Sequence, residues 1–182
     1  MRRDSGKAME EMRKHAERSA DAAALSAAAT KALVEIGQRP WISMQSLYLE
    51  REIGTHHRAV SLTSTLLNSG ATPAMSVVAH HYYLVASGEF PDNPVYDTGR
   101  GPPPIPITIC AHKVRQIVVQ LAMSDEDAEA LLGKETFLFV YGVVTYEDGF
   151  RNRHQTKWCV KHNGGLGRNT HFSFVGKHDS ID

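Results

Sequence analysis

The sequence predicts a mainly β chain, an antiparallel β-sandwich preceded by one long α-helix. Three observations carry that reading. Residues 4–36 contain no proline and one glycine, Gly6, and residues 20–32 are dominated by alanine, the strongest helix former. After Pro40 the apolar residues instead recur at every second position, the period of a half-buried strand. The runs that follow are short, separated by turn residues and without a strand–helix–strand rhythm, which favours packed antiparallel sheets over a parallel α/β fold. A length of 182 residues accommodates one such domain and an extra element. The expected division is a helical stalk or oligomerisation element at 1–38, a β domain at 39–178 and a disordered tail at 179–182.

The helix of about 33 residues extends for about 50 Å at 1.5 Å per residue. Met12, Ser19, Ser26 and Leu33 recur every seventh residue, with Met9, Ala16, Ala23 and Thr30 in the complementary position, forming a narrow seam of small residues. Gly37, with Pro40 three residues on, is read as the stop. Val60, Leu62, Ser64 and Leu66 then alternate with Ser61, Thr63 and Thr65 as a strand, and Asn68-Ser69-Gly70 supplies a turn in which Asn68 and Gly70 are expected at positive φ. Residues 74–86 hold the next strand, with Val77-Val78 and Tyr82-Tyr83-Leu84-Val85. Residues 88–106 contain six of the eight prolines and make an extended loop. Ile117, Val119, Leu121 and Met123 alternate as a further strand, and Ser124 with Asp127 caps a short helix closed by Gly133.

The clearest hairpin joins residues 137–146 to 154–162 across the polar turn 147–152. Its first strand is apolar on both faces and is therefore central, covered on both sides. In its second strand His154, Thr156, Trp158 and Val160 share a packed face, while Arg153, Gln155, Lys157 and Lys161 share a wet one. Residues 171–175 close the sheet, and those beyond Gly176 read as a fraying tail. The core expected from this pattern is Leu62, Leu66, Val77, Ile117, Val119, Phe139, Tyr141, Val143, Trp158 and Val160.

Twenty Lys and Arg balance twenty Asp and Glu, so no global field draws the chain to nucleic acid or to an anionic membrane. Two cysteines make no disulfide framework, and no apolar run approaches the roughly 20 residues that span a bilayer. The strings Arg39-Pro40-Trp41-Ile42, Leu67-Asn68-Ser69-Gly70-Ala71-Thr72-Pro73-Ala74, Tyr141-Gly142-Val143-Val144-Thr145-Tyr146-Glu147-Asp148 and His154-Gln155-Thr156-Lys157-Trp158-Cys159 stand in this order. Together they resemble a broad group of uncharacterised bacterial proteins in which a membrane segment and an Ala-rich helix precede an immunoglobulin-like β-sandwich. The resemblance covers nearly the whole chain, although the membrane segment itself is absent from it. It implies a binding or structural module that is normally membrane-anchored, and it carries over no activity, cofactor or catalytic set.

The candidate chemistry is sparse. Adjacent histidines His56-His57 and His80-His81 point to opposite faces of a strand, so each pair offers a common site one ligand, and no metal is expected. Cys110 and Cys159 are expected as small buried thiols without a catalytic role, although His112 stands two residues from Cys110. The glycine-rich stretch at 164–169 opens no helix and reads as a loop rather than a phosphate cradle. No cofactor is expected. The best binding face is the basic set Arg151, Arg153, Lys157, Lys161 and Arg168, without the free stacking aromatics of a specific nucleic-acid binder. The chain thus reads as non-enzymatic, with a protein partner or with self-association through the Met9, Met12, Ala16, Ala23 and Leu33 side of the helix. Arg2, Arg3, Lys7, Arg13, Lys14 and Arg18 would follow a membrane segment and favour the cytoplasmic side. The alternative is an enzyme or small-ligand domain with a His- and acid-lined site beneath loop 88–106.

Overall fold

A computed structural model describes residues 3–49, 59–96, 104–132, 136–162, 172–176 and 180–181. The chain divides into two compact units, residues 1–38 and residues 39–182. The first is a single helix, α1 (Arg3–Gln38), which runs past Gly37 and stops two residues before Pro40, whose ring disfavours helical backbone at the preceding residue. Ion pairs one turn apart, Arg13 with Glu10 at 2.9 Å and with Glu17 at 3.2 Å, lace its first half. Met9, Met12, Leu25 and Leu33 are exposed on it. Among the described residues no helix is long and apolar enough to cross a membrane.

The second unit is two antiparallel sheets. One holds β1 (Ile42–Leu49), β2 (Ala59–Asn68) and β5 (Val114–Ala122) in the order β1-β2-β5. The other has six strands. Its path runs from β4 (Ile107–Ile109) through β3 (Ala74–Ala86), β6 (Phe137–Glu147) and β7 (Arg153–His162) to β8 (Phe172–Phe174), with β9 (Ser180–Ile181) also on β7. The helix α2 (Asp125–Leu132) follows β5, and the Asp127 amide donates to Ser124 Oγ at 3.1 Å as the capping pattern requires. Gly133, its expected stop, lies outside the described residues.

One core is shared by the inward faces of both sheets. Ile42, Met44, Leu47, Leu62 and Leu66 meet Leu138, Val140, Val144, Tyr146, Trp158 and Val160 there. A second, aromatic cluster lies on the opposite face of the larger sheet, where Phe139, Tyr141 and Cys159 are buried with Phe90. This explains why β6 is apolar on both sides. Its outward cover comes from Phe90 and Tyr96 of the proline-rich loop. A helix is therefore not needed to cover that face.

Several expectations change. Eight of the ten expected core residues are buried, but Ile117 and Val119 are half-buried because β5, among the described residues, is an edge strand with a neighbour on one side only. The outward face of β7 is not uniformly wet, since Cys159 is 0% exposed beneath the aromatic cluster. Cys110, expected to be buried, is exposed. Beyond Gly176, in place of fraying, Ser180 and Ile181 pair with Lys157 and Thr156.

The turn at Asn68 works differently from its expected mechanics. Asn68 is not among the residues at positive φ; it is fully buried and works through its side chain. Its Nδ2 donates to the Thr72 and Ile109 carbonyls at 2.8 and 3.0 Å, and its Oδ1 accepts from the Trp41 and Gly70 amides at 3.2 and 3.0 Å. Gly70 is required for space: a Cβ there would sit 2.3 Å from the Arg39 carbonyl oxygen.

Candidate ligand-binding cleft and basic strip

The β6–β7 hairpin builds the candidate site from its turn outward. Asp148, 2% exposed, accepts from the Phe150 amide at 2.8 Å, the Asn152 amide at 2.9 Å and Asn152 Nδ2 at 3.1 Å. Its second oxygen also shares a hydrogen bond with His154 Nε2 at 2.9 Å. Those bonds hold the turn that takes Arg151 to a φ of 67°. Burial alone would raise the Asp148 pKa, but the hydrogen bonds from His154, Asn152 and Phe150 outweigh it and hold the carboxyl below its ordinary value. This acid–histidine pair is spent on the turn.

Beside it lies a cleft of about 480 Å³, lined by Ser76, Val78, Pro106 and by residues 145–147 and 153–155 of the hairpin strands. The cleft exists because β3 bulges between Met75 and Val78, with Ser76 at a φ of 50°. Arg153 stands at its rim with its side chain 88% exposed, 3.6 Å from Glu147. From there the outward positions of β7 carry Lys157 and Lys161. Lys157 Nζ lies 5.5 Å from the Tyr96 ring centre, and Lys161 Nζ lies 3.4 Å from that of Phe137. Such contacts fix a lysine without neutralising it.

The structure therefore brings Arg151, Arg153, Lys157 and Lys161 onto one hairpin, while Arg168 and the glycine-rich stretch lie outside the described residues, as do His56 and His57. Beneath the described part of loop 88–106 lie rings: Tyr82 stacks on Tyr141 at 5.3 Å, and the Tyr141 hydroxyl donates to the Val95 carbonyl at 3.1 Å. At the end of the loop, Pro106 lines the cleft together with His154 and Glu147. Among the described residues no three His, Cys, Asp or Glu side chains gather as a metal site. His112, at a φ of 56°, lies in the exposed turn after Cys110. Sequence reasoning missed the cleft itself, because its walls come from a bulge and from Pro106, neither of which leaves a periodic signal.

The inward histidines serve the core. His81 meets Trp158 edge-on at 5.2 Å and shares a 3.0 Å hydrogen bond with Ser64, and His162 meets Phe172 at 5.1 Å. Burial, helped by His80, pushes the His81 pKa from 6.5 down to about 4, and burial lowers that of His162 as well. The fold therefore binds the neutral form. His81's stabilisation is complete above pH 6.5 and is lost as pH falls toward 4. The loss is about 3 kcal/mol. Asp148 adds to it at still lower pH, because its contribution is present above 3.8 and disappears as pH drops through its depressed pKa. Urea midpoints at pH 7 and pH 4 check this, and equal midpoints would contradict it.

Compared with known protein families, curated proteins and solved structures, the chain matches none. Its class rests on its own geometry: a mainly β chain of two antiparallel sheets with one long N-terminal helix.

Proposed function

We propose that this chain is a non-enzymatic binding module, an immunoglobulin-like sandwich on a helical stalk, whose β6–β7 hairpin receives an extended acidic segment of a partner protein. The observation that carries the reading is the line of cations on one face of β7, Arg153, Lys157 and Lys161, running outward from the cleft. They are four residues apart, hence about 13 Å from one to the next at 3.3 Å per residue. That spacing suits an extended chain better than a compact anion. A polypeptide also suits it better than a nucleic acid, because the aromatic cluster on that face of the sheet, Phe139, Tyr141 and Phe90, is buried, and the exposed rings, Phe150 in the turn and Phe174 on β8, do not form a continuous stacking row.

The strand orders support the immunoglobulin-like reading. Named by that scheme, β1, β2 and β5 are strands A, B and E, and β4, β3, β6 and β7 are C′, C, F and G. The native protein is membrane-anchored on this reading, with the basic first half of α1 on the cytoplasmic side. Its α1 side bearing Met9, Met12 and Leu33, all exposed, is a further surface for a protein partner.

The test is fluorescence anisotropy of labelled decaglutamate, with decalysine and a ten-nucleotide oligo-dT as comparisons. Decaglutamate binds, decalysine does not, and Arg153→Glu weakens binding at least tenfold, about 1.4 kcal/mol. Absence of decaglutamate binding, or binding of oligo-dT alone, overturns the proposal.

A further inference from the structure

The free edge of the smaller sheet carries an inference independent of the basic strip. Among the described residues β5 pairs with β2 alone, in an unbroken register from Ala59–Ala122 to Leu67–Val114. Its other edge therefore presents alternate backbone N–H and C=O groups outward. Edge strands are ordinarily protected by proline, by a bulge, by charge or by being short. The nine-residue β5 has no proline and no bulge, and its one charge is Arg115, next to the strand's first residue and opposite Leu66 on the inward face, so the rest of the edge is without charge. Leu62 in the core pairs with Val119, so Val118 is on the outward face, where it is 60% exposed. The outward positions of β2 and β5 carry Ala, Ser, Thr, Leu, Val and Gln, and no charge.

The order of residues along β5 points to the occupant. Read outward from Val118, Ile117 is matched by Val119, Gln116 by Gln120, Arg115 by Leu121 and Val114 by Ala122. A two-fold interface must be self-complementary, and pairing about Val118 meets that condition: apolar residues lie opposite apolar ones, glutamine opposite glutamine, and no two like charges are opposed. We propose that β5 is a homodimerisation edge, pairing antiparallel with β5 of a second copy of this chain about Val118. The two Val118 side chains then face each other, glutamine lies opposite glutamine on the outward face, and each Arg115 lies opposite Leu121 of the other copy. The two Arg115 positions are about 20 Å apart, six residues along an extended strand, so the charges do not oppose each other. The result is a continuous sheet of six strands with Tyr48, Thr63 and Val118 aligned in one uncharged row on each half.

Light scattering and directed crosslinking on the full chain test the proposal. The wild-type chain has twice its 20.1 kDa monomer mass at micromolar concentration, and Val118→Lys, which sets two ammonium groups on the axis, returns it to monomer with an unchanged circular dichroism spectrum. In a Cys110→Ser background, which removes the exposed native thiol, Val118→Cys forms a covalent dimer on mild oxidation. Residues directly opposite in antiparallel strands have Cα atoms about 4.5–5.5 Å apart, within disulfide range. Val114→Cys in the same background crosslinks only when mixed with Ala122→Cys. A monomeric wild-type chain, a dimer that survives Val118→Lys, or no covalent dimer from Val118→Cys would each overturn the proposal.

Discussion

Trp158→Ala lowers the unfolding free energy by about 3–5 kcal/mol, the cost of emptying a fully packed aromatic site. Trp158 is 2% exposed and is the largest of the fully buried side chains. Its ring lies against Gly142 on the neighbouring strand, where a Cβ would sit 2.6 Å from it and 2.3 Å from the His80 carbonyl oxygen. The indole therefore occupies space that β6 leaves open by carrying no side chain, and it also meets His81 from β3. Truncation removes the contact that joins the three central strands, and the backbone on either side is too well paired to collapse into the void. Chemical denaturation reads the result, and a change below about 1 kcal/mol would place Trp158 in a site that refills, contrary to the packing described.

Asp148→Ala costs about 2–4 kcal/mol, for a different reason: several hydrogen bonds to one charged acceptor are lost together. Removing the carboxylate strands two backbone amides, of Phe150 and Asn152, together with the Asn152 side chain and the His154 ring. These donors are partly buried, so losing their common acceptor costs the bonds and part of the desolvation. Asp148→Asn retains part of the acceptor set and loses less. Loop geometry follows stability, because Arg151 and Arg153 are presented by this turn. Equal stability of the Ala and Asn variants, both within about 0.5 kcal/mol of wild type, would show that the turn holds without Asp148.

What was legible in the sequence had a regular period. The alternations in residues 60–66, 117–123 and 154–160 placed β2, β5 and β7, and the doubly apolar β6 was recognisable as central from its composition. β1 escaped because a bulge between Met44 and Ser46 breaks its alternation, so its buried residues fall at Ile42, Met44 and Leu47, two and then three apart. β4 escaped because three residues after Pro106 carry no period. The basic members of the site were legible as alternate positions of one strand. Their setting was not, because Tyr96 approaches from a proline-rich loop far away in sequence to lie 5.5 Å from Lys157 Nζ. Composition marks such a loop as irregular but does not say on which face it lands.

Amide chemical-shift mapping of the full chain titrated with decaglutamate decides whether the hairpin strip receives an acidic polypeptide. Saturable shifts are expected at Ser76, Arg151, Arg153, Gln155, Lys157 and Lys161, with β1 and β2 unmoved. Shifts spread over α1 and the smaller sheet, or none on β7 at saturating peptide, would contradict it.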